Sequence, residues 1–349
     1  MNLPVINLPV MNLTLDAKVV EEEILAKHRA LETVAMASVP DNLSVKIENL
    51  ESFAQATDLQ LLTTIPFEFK SLHQGALSAC SKLGFPPLDA LLIASAWVRR
   101  TIRTQDFDLT TWPTERLDFG LTDFKSKQAF SPCPLNLGLY AVLPDAAWIQ
   151  RMVGAGAPTL QLRFKSEDPL LIEKEIESSV RAVQAYTGDH SNAPRLFIND
   201  HWKLALKHGA YGVHLGQEDL EALTVEEFDE LRASGLKLGL STHGYSEMIR
   251  ADALRPSYIA MGAIFPTTLK KMQTPPQGVG RLEQYAQLMR DYPLVAIGGI
   301  TENDFQSILN TGVGSIAVVR AIVQDNNPEL KAKELCDYIV SNSLVKTSA

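Results

Sequence analysis

The sequence predicts an α/β protein, and three observations carry that reading. Over residues 131–349, short apolar runs rich in β-branched residues alternate with longer amphipathic stretches, the rhythm of parallel strands joined by helices. Eight such units fall within about 210 residues, which points to a closed (β/α)8 TIM barrel. Polar residues collect after the same end of six consecutive runs, where a barrel of this kind places its chemistry. An open doubly wound sheet is the competing architecture, but no Gly-x-Gly-x-x-Gly follows the first run.

Residues 1–131 read as a smaller, mainly helical N-terminal extension. A charge-rich amphipathic pattern runs from Leu15 to about Met36, and two further helices are expected at Ala76–Leu83 and Leu88–Arg103. The breaker Gly84-Phe85-Pro86-Pro87 separates that pair. From Thr104 to Pro134, through Trp112-Pro113 and Ser131-Pro132-Cys133-Pro134, no periodicity is evident. That segment is expected to be a linker, with the barrel occupying 132–349. Strands are expected at Gly138–Leu143, Thr159–Phe164, Arg195–Ile198, Gly212–Leu215, Lys237–Leu240, Ser257–Met261, Leu294–Ile297 and Gly314–Val319. Apolar residues recurring at three and four predict intervening helices such as Leu170–Tyr186, Val225–Ser234, Leu282–Arg290 and Asp304–Leu309.

Composition narrows the function. Of 349 residues, 46% are hydrophobic and 21% charged, values of a chain that folds. Residues 1–130 carry 12 basic against 16 acidic side chains and the remainder 20 against 25, so neither part has the basic footprint of a nucleic-acid binder. No apolar run is long enough to span a bilayer. The repeated Asn-Leu-Pro-Val at Asn2–Val5 and Asn7–Val10 lacks the basic and uninterrupted apolar regions of a signal peptide, so a cytoplasmic protein is expected. Cys80, Cys133 and Cys336 form no Cys-x-x-Cys pair and read as core residues.

The strand ends supply a specific set of groups. Arg163 and Lys165 close the second strand, Asn199-Asp200 the third, and Gly216-Gln217-Glu218-Asp219 follows the fourth. Ser241-Thr242-His243, Pro266-Thr267-Thr268-Leu269-Lys270 and Gly298-Gly299 follow the next three. Asp200 and Asp219 end adjacent strands and can converge on one hard cation, and two carboxylates with room for water and phosphate fit Mg²⁺ better than calcium or zinc. The other reading of each is a helix N-cap. Arg163, Lys165, Lys270 and Lys271, beside the hydroxyls of Ser241, Thr267 and Thr268, suit a diphosphate, although Lys271 reads as a solvated side chain. Gly298-Gly299, with Gly312 and Gly314, matches the phosphate site that barrels build after their last two strands. His201, His208, His214 and His243 have no metal-ligand spacing; His214 and His243 are expected to line the pocket through hydrogen bonds. Covalent catalysis by Ser241 is not expected.

Taken together, the motifs resemble a known family. Gln161-Leu162-Arg163-Phe164-Lys165, Phe197-Ile198-Asn199-Asp200, Gly212 to Asp219, Gly239-Leu240-Ser241-Thr242-His243, Phe265-Pro266-Thr267, Ala296 to Ile300 and Ala317-Val318-Val319 occur in the order seen in thiamine phosphate synthase, over about residues 136–325. The resemblance implies a (β/α)8 barrel that joins a hydroxymethylpyrimidine diphosphate to a thiazole phosphate and releases pyrophosphate. It implies that Gln161, Leu162, Arg163, Phe164, Lys165, Asn199, Ser241 and Lys270 hold the pyrimidine diphosphate and that Asp200 and Asp219 hold Mg²⁺. Thr267, Thr268, Leu269, Gly299, Val319 and Arg320 are implied at the thiazole phosphate. Lys165 and Ser241 are the groups expected at the reacting atoms. Leu269 stands where the family usually has threonine, and Arg320 where it usually has serine. Two alternatives remain open: a thiazole tautomerase, and a non-catalytic regulator that binds thiamine phosphate.

A second, shorter resemblance lies upstream. Gly75 to Cys80, Leu83 to Ala90 and Ala94 to Val98 are similar to the C-terminal portion of hydroxymethylpyrimidine phosphate kinases of the ribokinase-like type. Phe69-Lys70-Ser71-Leu72-His73-Gln74 replaces the glycine-rich anion hole, so no kinase activity is expected. A remnant that packs on the barrel or mediates assembly is expected instead. The partners expected overall are two small-molecule substrates, with no nucleic acid or membrane, and self-association is left open.

Overall fold

The computed structural model describes residues 16–31, 65–121, 128–188, 193–268 and 274–344. The chain divides into two compact units, one within residues 1–122 and the other comprising residues 123–349 with the short stretch 33–35.

The described part of the first unit is helical: α1 (Ala17–Lys27), α2 (Lys70–Lys82) and α3 (Pro87–Thr104). Asp16 caps α1 by accepting from the Lys18 N–H at 2.8 Å. The helix stops at His28, short of the expected Met36; residues 32–36 lie outside the described residues. The buried His28 ring donates to the Leu109 carbonyl oxygen at 2.9 Å and lies edge-on to Trp112, and burial lowers its pKa. α2 meets α1 at Gly75, where a Cβ would fall 2.3 Å from the Ala17 carbonyl oxygen. Gly84, at φ 80°, ends α2, and Pro87 starts α3 with a φ already suited to a helix. Residues 105–121 are irregular, as the missing periodicity predicts, yet packed. Leu109, Trp112 and Phe119 are buried, and the buried Asp118 holds Arg103 through two bonds of 2.8 and 3.0 Å.

The second unit is a closed parallel barrel in the order β1 to β8, with β8 pairing back onto β1. The strands are β1 (Gly138–Leu143), β2 (Thr159–Leu162), β3 (Arg195–Asn199), β4 (Gly212–Leu215), β5 (Lys237–Thr242), β6 (Tyr258–Met261), β7 (Leu294–Ile297) and β8 (Ser315–Val318). Three match the expected bounds at both ends, four differ by one or two residues at one end, and β8 is shorter by one residue at each end. Helices α4 (Ala146–Gly154), α5 (Pro169–Gln184), α6 (Trp202–His208), α7 (Gln217–Glu221), α8 (Val225–Ala233), α9 (Tyr245–Leu254), α10 (Gly278–Leu288), α11 (Phe305–Leu309), α12 (Arg320–Val323) and α13 (Pro328–Asn342) surround it. Their starts follow local chemistry. Asp145 and Asp168 cap α4 and α5, and Thr224 with Glu227 forms a capping box on α8. None of the described helices is long and apolar enough to cross a membrane. Cys80 is buried, and burial pushes the half-buried Cys133 and Cys336 thiols up to about 12, in keeping with packing roles.

Inside the barrel, alternation along each strand sends every second side chain to the axis. Tyr140, Phe197 and Tyr258 fill the middle with Val142, Ala260, Val295 and Ala317. Rings of that size fit because their neighbours are small. A Cβ on Gly239 would fall 2.0 Å from the Tyr258 ring, and one on Gly212 would fall 2.6 Å from Phe197. Gly239→Ala should therefore destabilise the barrel by about 1–3 kcal/mol through overpacking, read as a lower urea midpoint with unchanged slope. An unchanged midpoint would show that Tyr258 has room to move.

Candidate functional site

A cavity of about 1000 Å³ sits over the C-terminal ends of the strands. Strand geometry delivers its lining one strand at a time. On β2 and its exit, Gln161, Arg163 and Lys165 face the cavity, and Gln161 is almost wholly buried. Asn199 and Asp200 follow from β3, Gly216, Glu218 and Asp219 from the β4 exit, and Ser241, Thr242 and His243 from β5.

The two aspartates are brought together. Lys165 Nζ donates to Asp200 Oδ2 at 2.9 Å, while Asp219 Oδ2 accepts from the Gly216 N–H at 3.0 Å. Asp219 thus does two things: it caps the first turn of α7 and presents its carboxyl group to Asp200. Burial, then the neighbouring Asp200 charge, raises the Asp219 pKa, with Lys165 opposing. Asp200 itself holds φ at 66°, a left-handed conformation seldom adopted outside glycine. Two carboxylates pressed together at a cost in both charge and backbone strain suit a hard divalent cation, which converts their repulsion into attraction.

A second group of contacts lies towards β5. His214 Nε2 is 2.8 Å from Ser241 Oγ, and its Nδ1 is 2.7 Å from Tyr258 Oη. Glu247 Oε2 accepts from both the His243 N–H (2.9 Å) and its Nδ1 (2.8 Å), fixing that ring at the cavity wall. Thr242, by contrast, turns its hydroxyl to the Ala260 carbonyl oxygen at 3.0 Å.

The opposite side of the cavity is built from backbone. Gly298 and Gly299 have φ of 99° and 70°, and a Cβ on Gly299 would lie 2.6 Å from the Phe265 and Pro266 carbonyl oxygens. Only glycine fits there, and its close-packed backbone leaves the floor open to an anion. Thr267, Val319 and Arg320 border this end. Arg320 is exposed and starts the short α12. Further out, Lys331 is tied to Glu302 at 2.9 Å and Glu334 at 3.2 Å.

Of the residues expected from the sequence, Gln161, Arg163, Lys165, Asn199, Asp200, Asp219, Ser241, Thr267, Gly299, Val319 and Arg320 line this cavity. Leu162, Phe164 and Thr268 are not among its lining residues. Leu162 alternates with Gln161 and is buried away from the axis. Leu269, Lys270 and Lys271 lie outside the described residues. His214 and His243 both line the cavity, whereas His201 and His208 do not. Sequence reasoning missed the buried hydroxyls of Tyr140 and Tyr258 and the Glu247 partner of His243, although the four-residue spacing of His243 and Glu247 carries that signal.

The family model described as thiamine monophosphate synthase matches residues 139–322. A thiamine-phosphate synthase of Neisseria meningitidis is 48% identical over 204 residues, which is 58% of this chain and 95% of that protein. One from Escherichia coli is 49% identical over 208 residues, covering 60% of this chain and 94% of the relative. Among solved structures, thiamine phosphate pyrophosphorylase from Pyrococcus furiosus superposes with a TM-score of 0.52 at 26% identity, covering 60% of this chain and 98% of its own.

The electrostatics of the aspartate pair set a test. Because the folded protein raises the Asp219 pKa, the group contributes stability below its unfolded pKa and loses it as pH rises through the folded value. At pH 7 in chelator, Asp219→Asn should therefore raise Tm, by roughly 2–4 °C for each kcal/mol of repulsion removed. A divalent cation should raise the wild-type Tm and leave the variant unmoved. Scanning calorimetry reads both, and equal cation responses would remove the metal role from Asp219.

Proposed function

The chain belongs to the thiamine monophosphate synthase family, and from that premise we propose how its own residues divide the work. The reaction joins 4-amino-2-methyl-5-(diphosphooxymethyl)pyrimidine to 4-methyl-5-(2-phosphooxyethyl)thiazole, giving thiamine phosphate and pyrophosphate. The observation that carries the assignment of roles is the pairing of Asp200 and Asp219, with Lys165 on Asp200, across the cavity from the Gly298-Gly299 floor. One end is built for a diphosphate with a cation, the other for a phosphate on bare backbone.

On this reading Asp200 and Asp219 hold Mg²⁺, which when bound supplies positive charge at the departing diphosphate. Arg163, Lys165 and Asn199 bind the diphosphate oxygens, and Lys165 stays close enough to stabilise the charge that develops as the bond to the methylene carbon breaks. Gln161 and Ser241 orient the pyrimidine, whose amino group stabilises the cation left on that carbon. The electron pair of the broken bond leaves with pyrophosphate, and the thiazole nitrogen supplies the pair for the new bond. No side-chain nucleophile takes part. Thr267, Gly299, Val319 and Arg320 hold the thiazole phosphate opposite. The sequence adds Leu162, Phe164 and Lys270 to the diphosphate side and Thr268 and Leu269 to the thiazole side. That the helical first unit is a kinase remnant acting in packing or assembly is a separate proposal.

Two measurements test the reading. Incubation with both substrates and Mg²⁺ should yield thiamine phosphate and pyrophosphate in equal amounts, and chelator should abolish both; a folded preparation that forms neither product overturns it. Arg320→Ala should raise the KM for thiazole phosphate about tenfold or more, because a charge-assisted contact to phosphate contributes on the order of 1.5–3 kcal/mol. The KM for the pyrimidine diphosphate should stay within roughly twofold. Equal effects on both substrates, or none, would take Arg320 out of the phosphate site.

A further inference from the structure

Below Ser241 the barrel contains a continuous line of polar atoms, of which the reaction above uses only the two ends, Gln161 and Ser241. Gln161 Nε2 is 3.1 Å from Tyr140 Oη, which is 2.7 Å from Tyr258 Oη. Tyr258 Oη is 2.7 Å from His214 Nδ1, and His214 Nε2 is 2.8 Å from Ser241 Oγ. The line crosses β2, β1, β6, β4 and β5, so five strands meet in one chain of hydrogen bonds.

We propose that this line is a one-way chain of donors, in which Gln161, Tyr140, Tyr258 and His214 act as positioning residues that hold the Ser241 hydroxyl as a donor into the cavity. The proposal deepens the reading in which Ser241 faces the pyrimidine diphosphate. Its direction follows from counting protons. An amide nitrogen only donates, so Tyr140 accepts from Gln161 and spends its single proton on Tyr258. Tyr258 must then give its proton to His214 Nδ1. A neutral imidazole that accepts at Nδ1 carries its hydrogen on Nε2 and donates it to Ser241 Oγ. Ser241 is left with its own hydrogen unspent, and its side chain lines the cavity.

Three further observations hold the chain in this direction. Both phenols are almost wholly buried, and burial raises their pKa, so each keeps its proton and remains a donor. The partner of His214 Nδ1 is a phenol and not a carboxylate, so that partner does not supply the negative charge that steadies the imidazolium of a serine-nucleophile site. The rings are also fixed in place. Phe197 packs edge-on to Tyr258 at 5.1 Å, His214 stacks on Tyr258 at 5.8 Å, and Gly239 leaves the Tyr258 ring its seat. The reverse direction would end with Ser241 donating to His214, the arrangement of an activated nucleophile. A dissociative reaction has no need of one, and a preset donor costs no reorganisation as charge develops.

The direct test is nitrogen-15 NMR of the full chain labelled at histidine, with the His214 signals identified from their loss in His214→Gln. The expected result is a hydrogen on Nε2 and a bare Nδ1 in the wild type, whether or not substrate is present. A hydrogen on Nδ1, or on both nitrogens, would overturn the proposal even if the enzyme turns over normally. Absence of turnover would sink the proposed function while leaving this readout intact. Kinetics give a second arm. Tyr258→Phe should lower kcat about tenfold or more, since it leaves a buried acceptor unpaired, with the KM for thiazole phosphate unchanged. Glutamine at position 214 can accept from Tyr258 and donate to Ser241, so His214→Gln should keep at least roughly tenfold more kcat than His214→Leu. Equal losses in those two variants would mean that His214 acts as a base, and the chain would run the other way.

Discussion

A closed parallel barrel has an inner face that must be filled, and here three aromatic rings at mid-height fill it. Tyr140, Phe197 and Tyr258 pack with their ring centroids 5.1 to 5.9 Å apart. Much else follows from that wedge. It requires the bare backbone of Gly212 and Gly239 beside it and small Ala260 and Ala317 around it. It also closes the barrel interior beneath the cavity, so the charged groups above stand on a filled core. Two of the three rings carry hydroxyls, which burial obliges to find partners. The partners lie upwards, in Gln161 and His214, so the filler of the core is joined to the wall of the site.

The rim above this wedge is held at an energetic disadvantage that the proposed cation site accounts for. Asp200 sits in a left-handed backbone conformation and confronts Asp219, whose carboxyl group is pushed towards its neutral form. Stability alone would favour an asparagine or a glycine at position 200, where φ is positive, and at position 219 an asparagine, which keeps the cap on Gly216 without the charge. Across the cavity, Gly298 and Gly299 accept positive φ angles and the loss of side-chain packing so that the chain can pass close to its neighbours: a Cβ would lie 2.5 Å from the Ala263 Cβ at Gly298 and 2.6 Å from the Phe265 and Pro266 carbonyl oxygens at Gly299. Such compromises are affordable because the barrel beneath is closed on all eight edges and leaves none of its strands to fray.

The sequence made the barrel legible because strand period, helix period and turn chemistry agree there. The β1, β4 and β7 bounds coincide with the apolar runs at both ends. The location of the site was legible for the same reason, since polar residues follow the same end of six consecutive strands. Less visible was which residues of a motif face inwards. The stretch Gln161 to Lys165 reads as one binding segment, yet alternation divides it, with Leu162 turned to the helices. The donor chain was invisible because its members are 118, 44 and 27 residues apart from Tyr140 through Tyr258 and His214 to Ser241. No local spacing encodes a contact made only by closing a barrel. Residues 105–121 were misread as linker because an irregular segment carries no period even where Trp112 and Phe119 are buried.

The division of the cavity into two unlike ends accounts for what it lacks. At the Asp200 end, charge is concentrated in side chains, the arrangement that the proposed diphosphate and cation would need. At the Gly298-Gly299 end, it is spread over backbone and the single arginine that begins α12. A substrate that leaves as an anion needs stabilisation at one place and time, which fixed charges supply, whereas one that is only held needs shape. Between the two, Ser241 is tied to His214, and the tyrosines beneath it settle what that pairing can do. A serine beside a histidine suggests a nucleophile when the pair is viewed alone. Followed down to Gln161, the same pair is the end of a line of donors, and its chemistry is set by residues on the far side of the core.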